Sequence, residues 1–296
     1  MNAPNPDSVP GLDPLAALRW QQRRAPVGAW LQEEVSRRMA ERLAWIVNKP
    51  KDWLAYLPHH SGPAALEMVG AQCPQAKAWW PAPPVVQHTA RPWWRPKWLQ
   101  PSINTPPLLP SDAVDAVDLV WANMALHVLP RPQEVMAQWL RQLRVQGFVM
   151  GSGLGPDSLQ ELRTVYSHMG WPPPVHNFTD MHDWGDMLVQ AGFAEPVMDM
   201  ERISLAYENP GKLVADLRAW GRNLSSERFG ACRGKGYVQA LHQALSQHLP
   251  RDAQGRMTLT LEIIYAHAVK PAPRLKVEPQ THVSLQDMRE MLKPRS

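Results

Sequence analysis

The chain has 296 residues, 44% of them hydrophobic, which is enough for one large domain or two modest ones. Its net charge of +4 suits an acidic partner but falls well short of a typical nucleic-acid-binding protein. The two cysteines lie far apart and match neither a disulfide framework nor a metal site. No secretory signal and no membrane-length apolar run are apparent, so we expect a cytoplasmic protein in a reducing compartment.

The N-terminal segment contains prolines and mixed charges without lasting periodicity, which predicts a flexible arm over residues 1–27. From residue 28 to 47 apolar side chains recur every three or four positions, the spacing of a helix that docks one face on a core. We expect one domain over residues 28–270 and a C-terminal tail over 271–296. Within this domain, residues 73–110 are predicted to form an irregular segment rich in proline and tryptophan.

This irregular segment contains an aromatic and basic cluster over residues 91–98, Arg-Pro-Trp-Trp-Arg-Pro-Lys-Trp. Two interpretations stay open. Single-stranded nucleic acid would stack its bases on the tryptophans and place its phosphates on the basic side chains. Alternatively, the tryptophans and arginines pack together as an irregular surface layer, which is the interpretation we favour.

A strand, a loop and a helix are predicted in succession, with the strand over Asp52–Leu57 and the helix over Ala64–Ala71. Such an arrangement often begins a cofactor-binding domain. A loop that cradles a phosphate or carboxylate needs glycines, so that the backbone can turn tightly and approach the ligand. Only Gly62 and Gly70 occur between residues 28 and 147, so no glycine-rich loop can be built here.

The most informative stretch is Asp115–His127. Its run of Val117, Leu119, Val120 and Trp121 has high β-propensity and predicts a strand buried on both faces, which ends near Asn123. A second buried strand is predicted at 147–150. We expect Trp121 and Phe148 to lie on neighbouring parallel strands, because open α/β sheets bind ligands where such strands end.

Gly151-Ser-Gly-Leu-Gly155 follows the second strand and suggests a dinucleotide loop. The third glycine of that pattern falls on Pro156, and no following strand ends in an acid, so we do not expect a nucleotide there. Asp157 is instead predicted to cap the next helix. Further helices are predicted over 130–143, 180–191, 213–220 and 237–249, and further strands over 195–205 and 257–268.

The histidines do not form a recognisable metal site. His59–His60, His176 and His182 have neither an i,i+4 helical partner nor a cysteine companion, so no metal is expected. Neither cysteine sits beside a histidine, and no Gly-x-Ser-x-Gly motif occurs. A hydrolase nucleophile is therefore unsupported.

From Asp115 onward the chain resembles class I S-adenosylmethionine-dependent methyltransferases. More narrowly, it resembles the malonyl-carrier-protein O-methyltransferases of biotin synthesis and their relatives in respiratory complex I assembly. Four segments carry this resemblance, namely 118–126, 155–163, 180–199 and 265–271. The stretch at 37–43 is also similar to the N-terminal helix of that family.

The resemblance implies a Rossmann-like α/β fold, with a seven-stranded sheet, helices on both faces and an antiparallel last strand, here 257–268. It implies S-adenosylmethionine as cofactor, no metal, and a carboxylate acceptor borne by an acidic acyl-carrier protein. It identifies no catalytic side chain. The residues it places beside the cofactor are Ser61, Gly62, Ala122, Asn123 and Met124, and those on the acceptor side are Gly155, Asp157 and Arg163.

The loop after the first strand departs from that family. Pro58, His59 and His60 stand where the resemblance calls for glycines. A non-glycine residue in a left-handed conformation costs about 1–2 kcal/mol, and Pro58 has no N–H to offer a ligand. Residues 68–111 contain no Asp or Glu that could bind the ribose hydroxyls.

Two hypotheses therefore stand beside the nucleic-acid alternative. In the first, the protein is a methyltransferase that binds its cofactor through an altered loop. In the second, it is a methyltransferase-like protein that has lost the reaction and serves as a binding or regulatory partner.

Overall fold

The structure is a computed structural model that describes residues 9, 11–23, 30–82, 106–231 and 233–273. The cluster at 91–98 and most of the predicted tail lie outside the described residues, so the nucleic-acid interpretation stays a prediction. No helix within the described ranges is both long and apolar enough to cross a membrane.

Within the described residues, seven strands form one sheet in the order β3-β2-β1-β4-β5-β7-β6. Strands β3 to β5 run parallel along this order, whereas β7 is antiparallel to both of its neighbours. This confirms the predicted seven-stranded sheet with an antiparallel last strand. The strands are β1 Asp52–Ala55, β2 Lys77–Pro81, β3 Leu108–Leu109, β4 Val117–Ala122, β5 Leu143–Leu154, β6 Ala194–Tyr207 and β7 Met257–Val269.

Helices cover both faces of the sheet, as predicted. One face packs through Trp121, Phe148 and Leu261 against one group of helices, α2, α3, α5, α7 and α8. The opposite face packs through Val120 and Val149 against α4 and α6. The helices are α1 Pro14–Gln21, α2 Trp30–Ala44, α3 Pro63–Gln72, α4 Pro132–Gln142, α5 Gln160–His168, α6 Met181–Gln190, α7 Pro210–Trp220 and α8 Lys235–His248, with a 3₁₀ turn at Leu126–Val128.

The two central strands lie where the sequence placed them. β4 and β5 pair in parallel, with Leu119 opposite Phe148 and Trp121 opposite Met150. The expectation that Trp121 and Phe148 occupy neighbouring parallel strands is therefore confirmed. Their carboxyl ends open on the same edge of the sheet, next to the end of β1, where open α/β sheets bind ligands.

β6 and β7 form a long antiparallel ribbon at the sheet edge. Its register runs from Ala194 opposite Val269 to Tyr207 opposite Met257. Helices α7 and α8 lie in the segment between these strands, so that segment leaves and re-enters the sheet at neighbouring positions.

The N-terminal segment is not a loose arm throughout, which corrects the prediction for residues 1–27. Asp13 caps α1 by accepting the Leu15 and Ala16 amides, and the side chains of Ala17 and Trp20 are buried. Trp20 packs in a small cluster with Leu224 from the far end of the chain. This contact crosses most of the chain length, so a local hydrophobic period does not show it.

A second correction concerns Asp157, which does not cap a helix. α5 begins at Gln160, and the Asp157 carboxylate forms an ion pair with Arg202 on β6. The Asp157 amide donates instead to Glu262 Oε2 on β7 at 2.7 Å. The next two amides, of Ser158 and Leu159, donate to the carbonyl oxygens of Gly155 and Thr260, and helical structure starts later than predicted.

Candidate functional site

Asn123, at the end of β4, forms hydrogen bonds with α2, with the loop after β1 and with β5. It is fully buried, and its Nδ2 donates to the carbonyl oxygens of Gln32 at 2.8 Å and Ser61 at 3.3 Å. Its Oδ1 accepts from Ser152 Oγ at 3.1 Å, and that hydroxyl accepts from the Met124 amide at 2.8 Å. The Asn123 side chain therefore holds the loop after β1 and the helix α2 in place, and its polar atoms point into the protein.

The loop after β1 is closed on one side by α2. Gly62 has φ +86°, a conformation that other residues rarely adopt, and it precedes α3. A Cβ atom built at Gly62 would lie only 2.7 Å from Cγ of Glu33. The Glu33 side chain thus lies directly against the single glycine of the loop, on the surface where a ligand would have to approach the backbone.

The same loop is closed on its other side by α1. The ring of Trp20 lies 4.9 Å from the ring of His60, centroid to centroid, and His60 Nε2 lies 3.2 Å from the carbonyl oxygen of Gln21. Burial is the main cause that lowers the pKa of His60 below its ordinary value, so this imidazole is neutral at neutral pH. Residues of α1 and α2 therefore occupy both flanks of the loop.

These residues do not fit S-adenosylmethionine in the manner that the resemblance implies. The one glycine is covered by Glu33, and Pro58 has no amide hydrogen. β2 ends in Trp80-Pro81, with no acid to accept the ribose hydroxyls, and Trp80 Nε1 is buried without a described partner. Ser61, Gly62, Ala122, Asn123 and Met124 do come together here, but their contact with a cofactor stays a prediction.

A cavity of about 260 Å³ lies over the carboxyl ends of β4 and β5, covered by α5, α7 and α8. Trp20 lines it too, so this tryptophan forms a wall between the cavity and the loop after β1. Met124, which has φ +48°, lines its floor. The walls are mainly apolar side chains, among them Leu31, Leu159, Leu162, Val214, Leu241 and Leu261.

Two histidines, His127 and His176, line this cavity. Burial, the largest cause, lowers the pKa of His127 to about 3 and that of His176 to about 4. His176 Nε2 lies 2.8 Å from the His127 carbonyl oxygen and donates to it. Both imidazoles are therefore neutral at neutral pH, so neither adds a charge to the lining of the cavity.

The three residues predicted for the acceptor side lie behind the cavity wall. A Cβ atom at Gly155 would lie 2.6 Å from the Glu262 carboxylate, and Asp157 forms its ion pair with Arg202. Arg163 donates to the carbonyl oxygens of Val175 at 3.4 Å and His176 at 2.5 Å. Arg163 thus fixes the loop that carries His176, and a direct contact of these three residues with an acceptor stays a prediction.

Sequence reasoning missed the cavity side chains that come from α7, α8 and the segment after α7. These include Tyr237, whose hydroxyl lies 2.8 Å from that of Tyr166 on α5, together with Arg218, Arg222 and Asn223. The apolar spacing of Leu213, Leu217 and Trp220 shows only that α7 has a buried face. Nothing local indicates that this face covers a cavity and not a solid core.

The described residues contain no group of three or more His, Cys, Asp or Glu side chains placed to hold a metal ion. Cys73 is a buried free thiol, and burial raises its pKa above the ordinary value.

The chain is similar to proteins of known sequence and of known structure. No family model matches the chain. The malonyl-acyl-carrier-protein O-methyltransferase of Laribacter hongkongensis is 41% identical over 169 residues, which are 56% of each chain, so the chain spans little more than half of that relative. The YcgJ protein of Bacillus subtilis has a solved structure that covers 80% of this chain and 99% of its own, with 10% identity and a TM-score of 0.49.

A longer match comes from Xylella fastidiosa. Its malonyl-acyl-carrier-protein O-methyltransferase is 30% identical over 267 residues, and the match covers 86% of both proteins. On this evidence the chain belongs to the malonyl-acyl-carrier-protein O-methyltransferase family.

Proposed function

We propose that this protein acts on a malonyl-type thioester carried by an acyl-carrier protein, and that its reaction class is carboxyl O-methyl transfer. The names of its relatives state this substrate and reaction for those proteins. The observation that carries the proposal is the apolar cavity at the carboxyl ends of β4 and β5, which has the place and lining expected of a site for an acyl thioester.

The side chains of the cavity suit this role. A carboxylate that attacks a methyl group is already anionic, so the site needs no general base and works by positioning the reactants and excluding water. His127 and His176, whose pKa values are lowered to about 3 and about 4, are weak bases, which agrees with a site that performs no proton transfer. The net charge of +4 favours encounter with an acidic carrier protein. A cytoplasmic setting is part of the same proposal.

S-adenosylmethionine would supply the methyl group in this reaction. The residues of the loop after β1 do not fit it, and we assign no step to it. The contact between Glu33 and Gly62 therefore favours a second candidate function, in which the protein binds the acyl-carrier protein without transferring a methyl group.

One experiment separates these two functions. The purified protein is mixed with malonyl-acyl-carrier protein and methyl-labelled S-adenosylmethionine, and the methyl ester is detected by intact-protein mass spectrometry. Acetyl-acyl-carrier protein, which lacks the free carboxylate, is the control substrate. Binding of the carrier protein and of S-adenosylhomocysteine is measured by calorimetry on the same preparation.

A methyl ester on the malonyl form alone supports transfer. Carrier binding without ester and without heat from S-adenosylhomocysteine supports the second candidate. Absence of both ester and carrier binding contradicts both functions.

A further inference from the structure

The polar rim of the cavity carries positive charge without a matching acid. Arg218, on the last turn of α7, and Arg222, just after it, both line the cavity. No Asp or Glu is among the described residues that line it. Neither arginine forms an ion pair with any carboxylate in the described part of the chain, whereas nearby Arg228 pairs with Asp13 at 2.8 Å.

The Arg222 guanidinium is held in position by the end of α7. Its Nη1 donates to the carbonyl oxygens of Arg218 and, at 2.7 Å, of Gly221. The guanidinium carbon lies 5.6 Å from the centroid of the Trp20 ring. Since Nη1 is used by the helix end, Nε and Nη2 remain to donate to a ligand beside the tryptophan that separates the cavity from the loop after β1.

The charges around Arg222 favour an anion at this place. Burial, followed by repulsion from Arg23 and Arg218, lowers the pKa of Arg222 below its ordinary value. A bound anion would offset this repulsion and so raise the pKa of Arg222. Arginine suits a carboxylate in particular, because its planar fork donates two parallel hydrogen bonds to the two oxygens.

We infer that Arg222, assisted by Arg218, binds the free carboxylate of a dicarboxylic acyl thioester whose pantetheine arm lies along the apolar walls of the cavity. This inference rests on the proposed function and adds the residues that select the acyl group. The selected chemistry is a short acyl chain ending in a carboxylate, as opposed to one ending in a methyl group.

Malonyl-pantetheine and acetyl-pantetheine test this inference, because they share the arm and differ in the terminal carboxylate. Their affinities are measured by calorimetry. We expect the unmodified protein to bind malonyl-pantetheine about tenfold more tightly or better. Arg222→Gln should remove most of this preference while acetyl-pantetheine binds as before, Arg218→Gln should reduce it, and Arg222→Lys should restore part of it.

Arg141→Gln, on α4 across the sheet, makes the same charge change away from the cavity and should keep the preference. Phosphopantetheine without an acyl group tests whether the arginines bind the phosphate of the carrier's prosthetic group instead. Equal affinity for the malonyl and acetyl forms overturns the inference and leaves the proposed function standing. A preference for phosphopantetheine that Arg222→Gln abolishes also overturns it. No binding of any probe or of the carrier protein contradicts the proposed function itself.

Discussion

The loop after β1 and the cavity over β4 and β5 both contact Trp20, yet they differ in packing: the loop is covered, whereas the cavity is open. Glu33 and Trp20 pack tightly on the loop, whereas the cavity keeps about 260 Å³ between apolar walls. The loop is flanked by the N-terminal helices, and the cavity is covered largely by α7 and α8. The two halves of the crevice therefore rest on different segments, so one half can change while the other is retained.

The largest expected effect concerns the cavity half and its neutral histidines. The folded protein binds protons at His127 and His176 less readily than the unfolded chain does, because their pKa values lie at about 3 and about 4. Lowering the pH from 6.5 to 5 should therefore reduce the free energy of unfolding by about 2 kcal/mol for each imidazole. Urea unfolding at a series of pH values measures the slope of the free energy of unfolding against pH.

The matched control is His182→Gln, which replaces an exposed histidine on α6. This substitution should leave the slope unchanged. His176→Gln should flatten it by roughly half. A slope that is the same in both variants would show that other groups cause the pH dependence.

The next effect concerns the junction between the two halves. Asn123→Ala removes the donor to Gln32 and Ser61 and the acceptor for Ser152, all of them in the interior. We expect a loss of about 3 kcal/mol in the free energy of unfolding, because buried polar groups are left without partners. Denaturant unfolding measures the loss. Asn177→Ala, at an exposed position, should change it by less than about 0.5 kcal/mol, and a similar cost for the two would contradict the role of Asn123.

A smaller effect should come from the closed loop. Gly62→Ala places a Cβ against Glu33 in a backbone conformation suited to glycine. We expect this to lower the free energy of unfolding by about 2 kcal/mol. In a Glu33→Ala background only the backbone strain remains, so the cost should fall to about 1 kcal/mol. A double-mutant cycle measured by thermal unfolding gives this difference. Additive effects would mean that Glu33 does not pack on the loop.

The smallest effect is expected behind the cavity. Asp157→Asn removes an exposed ion pair with Arg202 but keeps the backbone bond to Glu262. We expect the free energy of unfolding to change by less than about 0.5 kcal/mol. Calorimetry with malonyl-pantetheine on the same variant should show unchanged affinity, and a large loss of affinity would assign Asp157 to the acceptor site after all.

The central sheet could be predicted because its information is local. The apolar run ending at Trp121 and the second run through Phe148 each have the composition of a strand buried on both faces, and the structure pairs them. The alternating pattern over 257–268 predicted the last strand, but its antiparallel direction came from the resemblance to a family and could not be derived from periodicity.

The candidate site was predicted less completely, because its contacts join distant parts of the chain. Trp20 meets His60 and Leu224, and Glu262 takes the amide of Asp157. No window of sequence contains both members of any of these pairs. The sequence did show that glycines are missing after β1, but not that Glu33 covers the one that remains.

The ribbon of β6 and β7 has a consequence for how this fold can diversify. Because Tyr207 stands opposite Met257, the segment with α7 and α8 that covers the cavity begins and ends at neighbouring positions of the β6–β7 ribbon. Lengthening or replacing such a closed excursion adds little loop entropy and leaves the pairing of the other strands untouched. In such a fold, a change confined to the segment between β6 and β7 can alter which ligand the cavity binds.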